Sequence, residues 1–166
     1  MKCTTLNTIN RMLESLPEDK QEEVLNHLYD YITELQDEIK WDLLFKSSEK
    51  EISLIAKEIK EKIKKGNIED FDYDRLYKVK ALPSFWEHYE KLQDNIKRQA
   101  RKAFQLWKEN PFHPSLHFKC VNSEEEIWSL RITKGYRALC VYEKNLIVWF
   151  WIGHHDDYER LIKKVK

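Results

Sequence analysis

No apolar stretch in this 166-residue chain approaches the roughly 18 residues that a bilayer-spanning helix needs, and the amino terminus lacks a basic start followed by an apolar run. Cysteine is scarce. Cys3, Cys120 and Cys140 form no CxxC pair and no Cys/His spacing of a zinc site, so neither a disulfide framework nor a zinc module is expected. Cys120 and Cys140 sit in apolar runs and read as small core residues. These absences predict a soluble, cytoplasmic protein that needs neither metal nor cofactor and makes no use of a membrane.

Net charge is missing too, but the zero is a cancellation. Residues 1–76 hold 12 Lys and Arg against 18 Asp and Glu, and residues 77–166 hold 17 against 11. An acidic half of −6 precedes a basic half of +6. Opposite charges divided this evenly suggest two modules that hold each other, the basic one built for an anionic partner and the acidic one masking it. The alternative is two ordinary domains whose surface charges differ by chance. The aromatic residues divide as well: six of the seven Phe lie at or beyond Phe71, and all Trp but Trp41 lie at or beyond Trp86.

In the first half, Leu25, Leu28, Ile32, Leu35 and Ile39 step by three and four, placing an apolar seam along one helix face. Pro17 followed by Glu18 and Asp19 is a favourable helix opening. So narrow a seam resembles a coiled-coil strand, so a homodimer through the N-terminal helices is expected. A second helix is predicted from about Ser48, with Ile52, Ile55, Ala56, Ile59 and Ile63 on one face and a stop at Lys64-Lys65-Gly66. Residues 67–74 then form a short acidic, aromatic linker suited to lie across a basic surface while burying Phe71 and Tyr73.

From Tyr77 to Leu82 the pattern alternates as in a strand, until Pro83-Ser84 breaks it. Phe85, Tyr89, Leu92, Ile96, Ala100, Ala103, Phe104 and Trp107 return to helical spacing, as one helix or a helical hairpin ending at Asn110-Pro111. Four apolar segments follow, at 116–121, 126–132, 136–142 and 146–152, two of their connections of hairpin length, and predict an antiparallel meander. Trp149-Phe150-Trp151 reads as sheet core alternating between two faces. A last short helix carries Tyr158, Leu161 and Ile162. The fold class expected is α+β: an N-terminal helical segment, 1–76, and a domain, 77–166, with helices on one face of an antiparallel sheet.

Several of these motifs, taken in order, resemble the RelE/ParE superfamily of type II toxins. They are Asn110-Pro111-Phe112-His113-Pro114-Ser115-Leu116, Trp128-Ser129-Leu130-Arg131-Ile132, Gly135-Tyr136-Arg137, and the apolar strand ending Ile152-Gly153-His154-His155-Asp156-Asp157-Tyr158. The acidic helical first half resembles a type II antitoxin of the kind encoded beside such a toxin. That likeness rests on composition and on the pattern Ile39-Lys40-Trp41-Asp42-Leu43-Leu44-Phe45. The whole chain resembles antitoxin and toxin fused near Leu76-Tyr77, with Trp41, Phe45, Phe71 and Tyr73 as antitoxin contacts and the antitoxin segment acting in cis or in trans.

The resemblance implies a metal-independent endoribonuclease, an mRNA interferase that inhibits translation by cleaving mRNA on the ribosome. Such chemistry needs a base for a ribose 2′-hydroxyl, cations for the phosphorane and an acid for the leaving 5′-oxygen. The matching positions are Arg131 and Arg137, which offer forked donors to a phosphate, and His155 as acid or base. His154 and Tyr158 stand as helpers, while Lys119, His117, Lys97 and Arg101 are RNA-binding candidates. Each has a structural alternative: Arg137 can pair with a carboxylate, His154-His155 can cap the last helix, and the cations of the long helix can form a solvated face. Ser129 stands where several ribonuclease members carry lysine, so the basic cluster is thinner. Two other functions fit the same residues: a ParE-like or degenerate module acting by protein binding, and an autoregulatory complex bound to operator DNA. For the last, the acidic first half shows no convincing helix-turn-helix or basic ribbon.

Overall fold

The computed structural model describes residues 2–66, 68–70, 78–143 and 145–165, and the chain divides into two units, Met1–Ile39 and Lys40–Lys166. The expected junction at Leu76-Tyr77, and with it Phe71 and Tyr73, lies outside the described residues. In the first unit, α1 (Lys2–Glu14) is followed by the opening of α2 (Glu18–Ser47), whose first turn carries Glu18 and Asp19 as the helix dipole favours. Leu25, Leu28, Ile32, Leu35 and Ile39 are all exposed on this helix, alongside Leu6, Ile9 and Met12 of α1. Among the described helices none is long and apolar enough to cross a membrane.

The second unit begins inside α2. There the buried residues become Trp41 and Phe45, one helical turn apart. After a break at Ser48, α3 (Glu49–Lys64) buries Ile52, Ile55, Ala56 and Ile59, the face its spacing predicts. A two-residue strand, β1 (Glu69–Asp70), pairs antiparallel with β2 (Lys78–Ala81). Pro83 then starts a helix rather than merely ending a strand, since proline at N1 forgoes a donor that has no helical partner there. Two helices result, α4 (Pro83–Glu90) and α5 (Asp94–Glu109). A 3₁₀ turn at Pro114–Leu116 leads to β3 (Lys119–Asn122), β4 (Ile127–Arg131), β5 (Tyr136–Glu143), β6 (Leu146–His154) and α6 (His155–Lys163).

The strands form one sheet in the order β1-β2-β6-β5-β4-β3. From β3 to β6 the meander is antiparallel. Into its open side β2 inserts parallel to β6, pairing Lys78 with Leu146 through to Ala81 with Trp149. A parallel neighbour needs a long connection, which α4, α5 and the other strands provide.

Helices cover both faces of the sheet, not one. On one face Phe85, Ala100, Ala103, Phe104 and Trp107 of α4 and α5 pack on Ala138, Cys140, Trp149 and Ile152. On the other, Trp41, Phe45, the α3 isoleucines, Tyr158 and Ile162 pack on Leu139, Val141, Val148, Phe150 and Trp151. The 149–151 run departs from strict alternation. The register shifts as Leu139 pairs with Trp151 and Cys140 with Trp149, leaving Phe150 as the extra residue, so Phe150 and Trp151 serve the same face. Gly153 follows because a Cβ there would stand 2.7 Å from the Trp151 ring. Cys140 is buried, and burial pushes its thiol well up. Cys120 is exposed on β3, the end strand of the sheet, correcting its reading as core.

Side chains of the two buried layers differ in what they contribute. Trp149→Ala empties a site packed 4.9 Å from Phe104 and 5.2 Å from Trp107, centroid to centroid, and is expected to lower the unfolding free energy by about 3–5 kcal/mol. Tyr158→Phe removes only a hydroxyl bonded to Ser48 at 2.8 Å, and Ser48 keeps the Leu44 carbonyl at 2.7 Å. It is expected to cost about 1 kcal/mol. Urea unfolding of the two variants by circular dichroism checks the ranking, and equal losses would contradict it.

Candidate functional site

His155, Arg137, Arg131 and Tyr158 come together where β4, β5 and the β6–α6 junction meet. Arg131 and Arg137 are directly paired across β4 and β5, so their side chains leave the same face of the sheet. That face also receives Leu139 and Val141, and Trp41 and α3 cover it. Arg137 is 1% exposed, and its Nη1 donates to the carbonyls of Thr133, Lys134 and Tyr136 at 2.7, 3.2 and 3.1 Å. It therefore laces the β4–β5 hairpin, and its guanidinium lies 5.4 Å from the centre of the Trp41 ring. Arg131 reaches His117 Nε2 at 3.1 Å. His117 stands in left-handed backbone (φ 41°) at the end of the 3₁₀ turn, so β3 begins only at Lys119.

The β6–α6 junction supplies both histidines. His154 is the N-cap of α6, its Nδ1 accepting from the Asp156 amide at 3.4 Å. Its ring lies tilted against those of His155 and Tyr136, with centroids 3.7 and 5.0 Å away. Burial, with His155 beside it, holds its imidazole below the usual histidine range. Gly135 makes room for this ring, since a Cβ there would stand 2.7 Å from His154 Nε2. His155 contacts Asp156 through Nδ1 at 2.6 Å and Lys40 through Nε2 at 3.2 Å. An ammonium only donates, so Nε2 accepts and the ring proton lies on Nδ1, facing the carboxylate. His154, His155 and Asp156 also bring three donor groups within 4.8 Å of one another, a set that can hold a metal ion. The Lys40 ammonium, 3.8 Å from the carboxylate, opposes a divalent ion there.

Tyr158 is fully buried, and burial raises its hydroxyl far above the usual phenol range. Lys119 pairs with Asp42 at 2.6 Å. Lys97 and Arg101 do not join this group. They lie on α5, whose core residues pack on the other face of the sheet. Lys97 pairs with Glu90 at 2.7 Å, and Arg101 donates to the Tyr89 hydroxyl at 3.2 Å. Ser129, 1% exposed, has no hydrogen-bond partner for its hydroxyl among the described residues.

Trp41 and Phe45 stand out in the sequence; Lys40, Asp42 and Ser48, which meet His155, Lys119 and Tyr158, do not. Trp41 is wholly buried, with Phe45, Tyr158, His155 and Trp151 at 5.3, 5.6, 6.2 and 6.4 Å, centroid to centroid. The signal was there. Trp41, Phe45, Ser48, Ile52, Ile55 and Ile59 continue one seam in steps of three and four, displaced from the Leu25–Ile39 seam.

Residues 94–160, from the first turn of α5 into α6, match the family model of the ParE-like toxin domain. No curated protein sequence matches the chain. Among solved structures, the chain is similar to the RelB–RelE antitoxin–toxin complex from Methanococcus jannaschii, at 10% identity and a TM-score of 0.42, covering 48% of this chain and 94% of that one. It is similar also to the archaeal RelE–RelB complex from Pyrococcus horikoshii OT3, at 12% identity and a TM-score of 0.40, covering 48% and 96%. By the match over residues 94–160, the C-terminal half of the chain is similar to the ParE-like toxin domain of the RelE/ParE superfamily.

Proposed function

We propose that the chain is a fused antitoxin and toxin: a latent endoribonuclease acting on mRNA at the ribosome, whose own N-terminal segment occupies its catalytic face. One observation carries this reading. Within the nine residues 40–48, four side chains each engage a different candidate of the toxin-like domain. Lys40 contacts His155, Trp41 lies against Arg137, Asp42 pairs with Lys119 and Ser48 bonds Tyr158. A helix that served only to cover apolar surface has no need to meet these four polar groups one by one.

On this reading, withdrawal of residues 40–48 frees His155 Nε2 and opens the Trp41-covered side of Arg137. An RNA strand then takes the vacated face. His155 or a neighbouring group accepts the proton of the ribose 2′-hydroxyl, whose oxygen attacks the adjacent phosphorus while Arg131 and Arg137 stabilise the phosphorane oxygens. The bond to the 5′-oxygen breaks as that oxygen is protonated, leaving a 2′,3′-cyclic phosphate and a free 5′-hydroxyl. Imidazole suits either proton transfer near neutrality, and the Nδ1 contact with Asp156 fixes its tautomer. The proposal keeps the division at 76 and 77 as that between antitoxin-like and toxin-like parts.

The exposed seam of α2 supports dimerisation through the first unit. Leu25, Leu28, Ile32, Leu35 and Ile39 are 38–58% exposed along one face, an apolar stripe of the kind that coiled coils bury. Leu28→Lys with Ile32→Lys is expected to convert a dimer to a monomer in sedimentation equilibrium. A wild-type chain that already sediments as a monomer would overturn the assignment.

Latency is tested in the full chain. Trp41→Ala with Phe45→Ala is expected to release mRNA cleavage on purified ribosomes, where wild type is silent. Adding His155→Ala is expected to lower that activity by roughly 10²–10⁴-fold. Variants that keep their helical circular dichroism, expose the site and yet cut no mRNA would favour a module that acts by protein binding.

A further inference from the structure

A second concavity opens beside the histidine pair, away from Trp41. It is a cleft of about 470 Å³ between the C-terminal end of α4, the start of β5 and the outer side of α6. This volume falls within the ~300–1,000 Å³ of small-ligand sites. His88 and Lys91 come from α4, Tyr136 from β5, and Asp157, Arg160 and Lys164 from α6.

Charge and shape are arranged unevenly in it. Asp157 is engaged by Arg160 at 2.9 Å. Lys91 and Lys164, both exposed, have no ion-pair partner among the described residues. The cleft therefore holds two ammonium groups outside any ion pair, with the Asp157 carboxylate among its lining residues. Burial, and after it Lys91, holds the His88 imidazole below the ordinary range; Glu87 and Asp157 act the other way, and Lys164 adds the least. Such a site attracts an anion. Tyr136 supplies an aromatic wall, held in place by its contact with the His154 ring at 5.0 Å.

We propose that this cleft binds a nucleotide, its phosphate between Lys91 and Lys164 and its base against Tyr136. Two point charges without a planar fork suit a tetrahedral phosphate dianion, and an aromatic face accepts any base without reading its edge. The ligand chemistry is a phosphate ester of a nucleoside, supplied either as a free nucleotide or as one unit of an RNA strand passing His154. Recognition here requires no cleavage, so it stands or falls separately from the ribonuclease reading.

The experiment is isothermal titration of the intact chain with adenosine 5′-monophosphate, adenosine, inorganic phosphate and a short oligoribonucleotide. The nucleotide is expected to bind with a Kd of ~1 mM or tighter, and adenosine and phosphate at least about tenfold more weakly. Lys91→Ala with Lys164→Ala, both at exposed positions, should weaken the nucleotide by at least about tenfold, and Tyr136→Leu should weaken it while leaving phosphate unchanged. Tighter binding of the oligoribonucleotide than of the mononucleotide, lost in the lysine pair, assigns the cleft to a strand; equal or weaker binding assigns it to a free nucleotide. No heat from the nucleotide, phosphate binding as tight as the nucleotide, or indifference to the lysine pair would each overturn the proposal. Mutation of His155 leaves this binding in place, so a failed ribonuclease assay and a failed cleft are told apart.

Discussion

A sheet with apolar side chains on both faces cannot leave either one in water, and this requirement organises the second unit. The buried stretches 137–141 and 147–153 of β5 and β6 are continuous rather than alternating. The helices α4 and α5 satisfy one face. The other, which carries Leu139, Val141, Val148, Phe150 and Trp151, is satisfied by Trp41, Phe45, α3 and α6. Burial of a large aromatic or aliphatic side chain contributes about 1.5–3 kcal/mol, so the helices that precede the sheet in the chain are part of its core. Arg137 and Tyr158 are buried as a consequence of the same requirement.

Charge has a smaller part in this association than the division of the sequence suggests. Ion pairs between residues 40–64 and the domain that follows run in both senses: Asp42 with Lys119, but also Lys57 and Lys60 with Glu125, and Lys40 with Asp156. Most of these groups are substantially exposed, where such pairs contribute ~0–1 kcal/mol. The exceptions are Glu125 and Lys60, whose side chains are 12% and 22% exposed and meet at 2.8 Å. Polar fit is also local. Asn122 donates to Ser53 at 2.9 Å and accepts from the Glu125 amide at 2.9 Å, tying the β3–β4 turn to α3.

What the sequence made legible follows from short-range physics. The meander strands, the α3 face, the terminal helix and the α2 opening each rest on periodicity or capping within one element, and the structure has them. The placing of Arg131 and Arg137 on adjacent strands was legible through the strand pattern. The parallel pairing of β2 with β6 was not, because Lys78–Ala81 looks the same whichever neighbour it takes. The bulge at Phe150 lies in a uniformly apolar run that hides a register shift. Two-sided coverage had a signal in the unbroken runs of β5 and β6, since strands buried on both faces lose alternation. The hairpin carbonyls that hold Arg137 are backbone groups, which no side-chain pattern announces.

Trp41 and α3 stand ahead of the sheet in the chain, and this order has a consequence for synthesis. Domains fold as they leave the ribosome, N-terminal parts first. Trp41, Phe45 and α3, which cover Leu139 and Trp151 together with the later α6, are made before those strands exist, so each copy of the sheet emerges with this part of its cover present, in a fixed ratio of one to one. Unequal expression or turnover of two separate chains cannot disturb that ratio; only an event within a single molecule can.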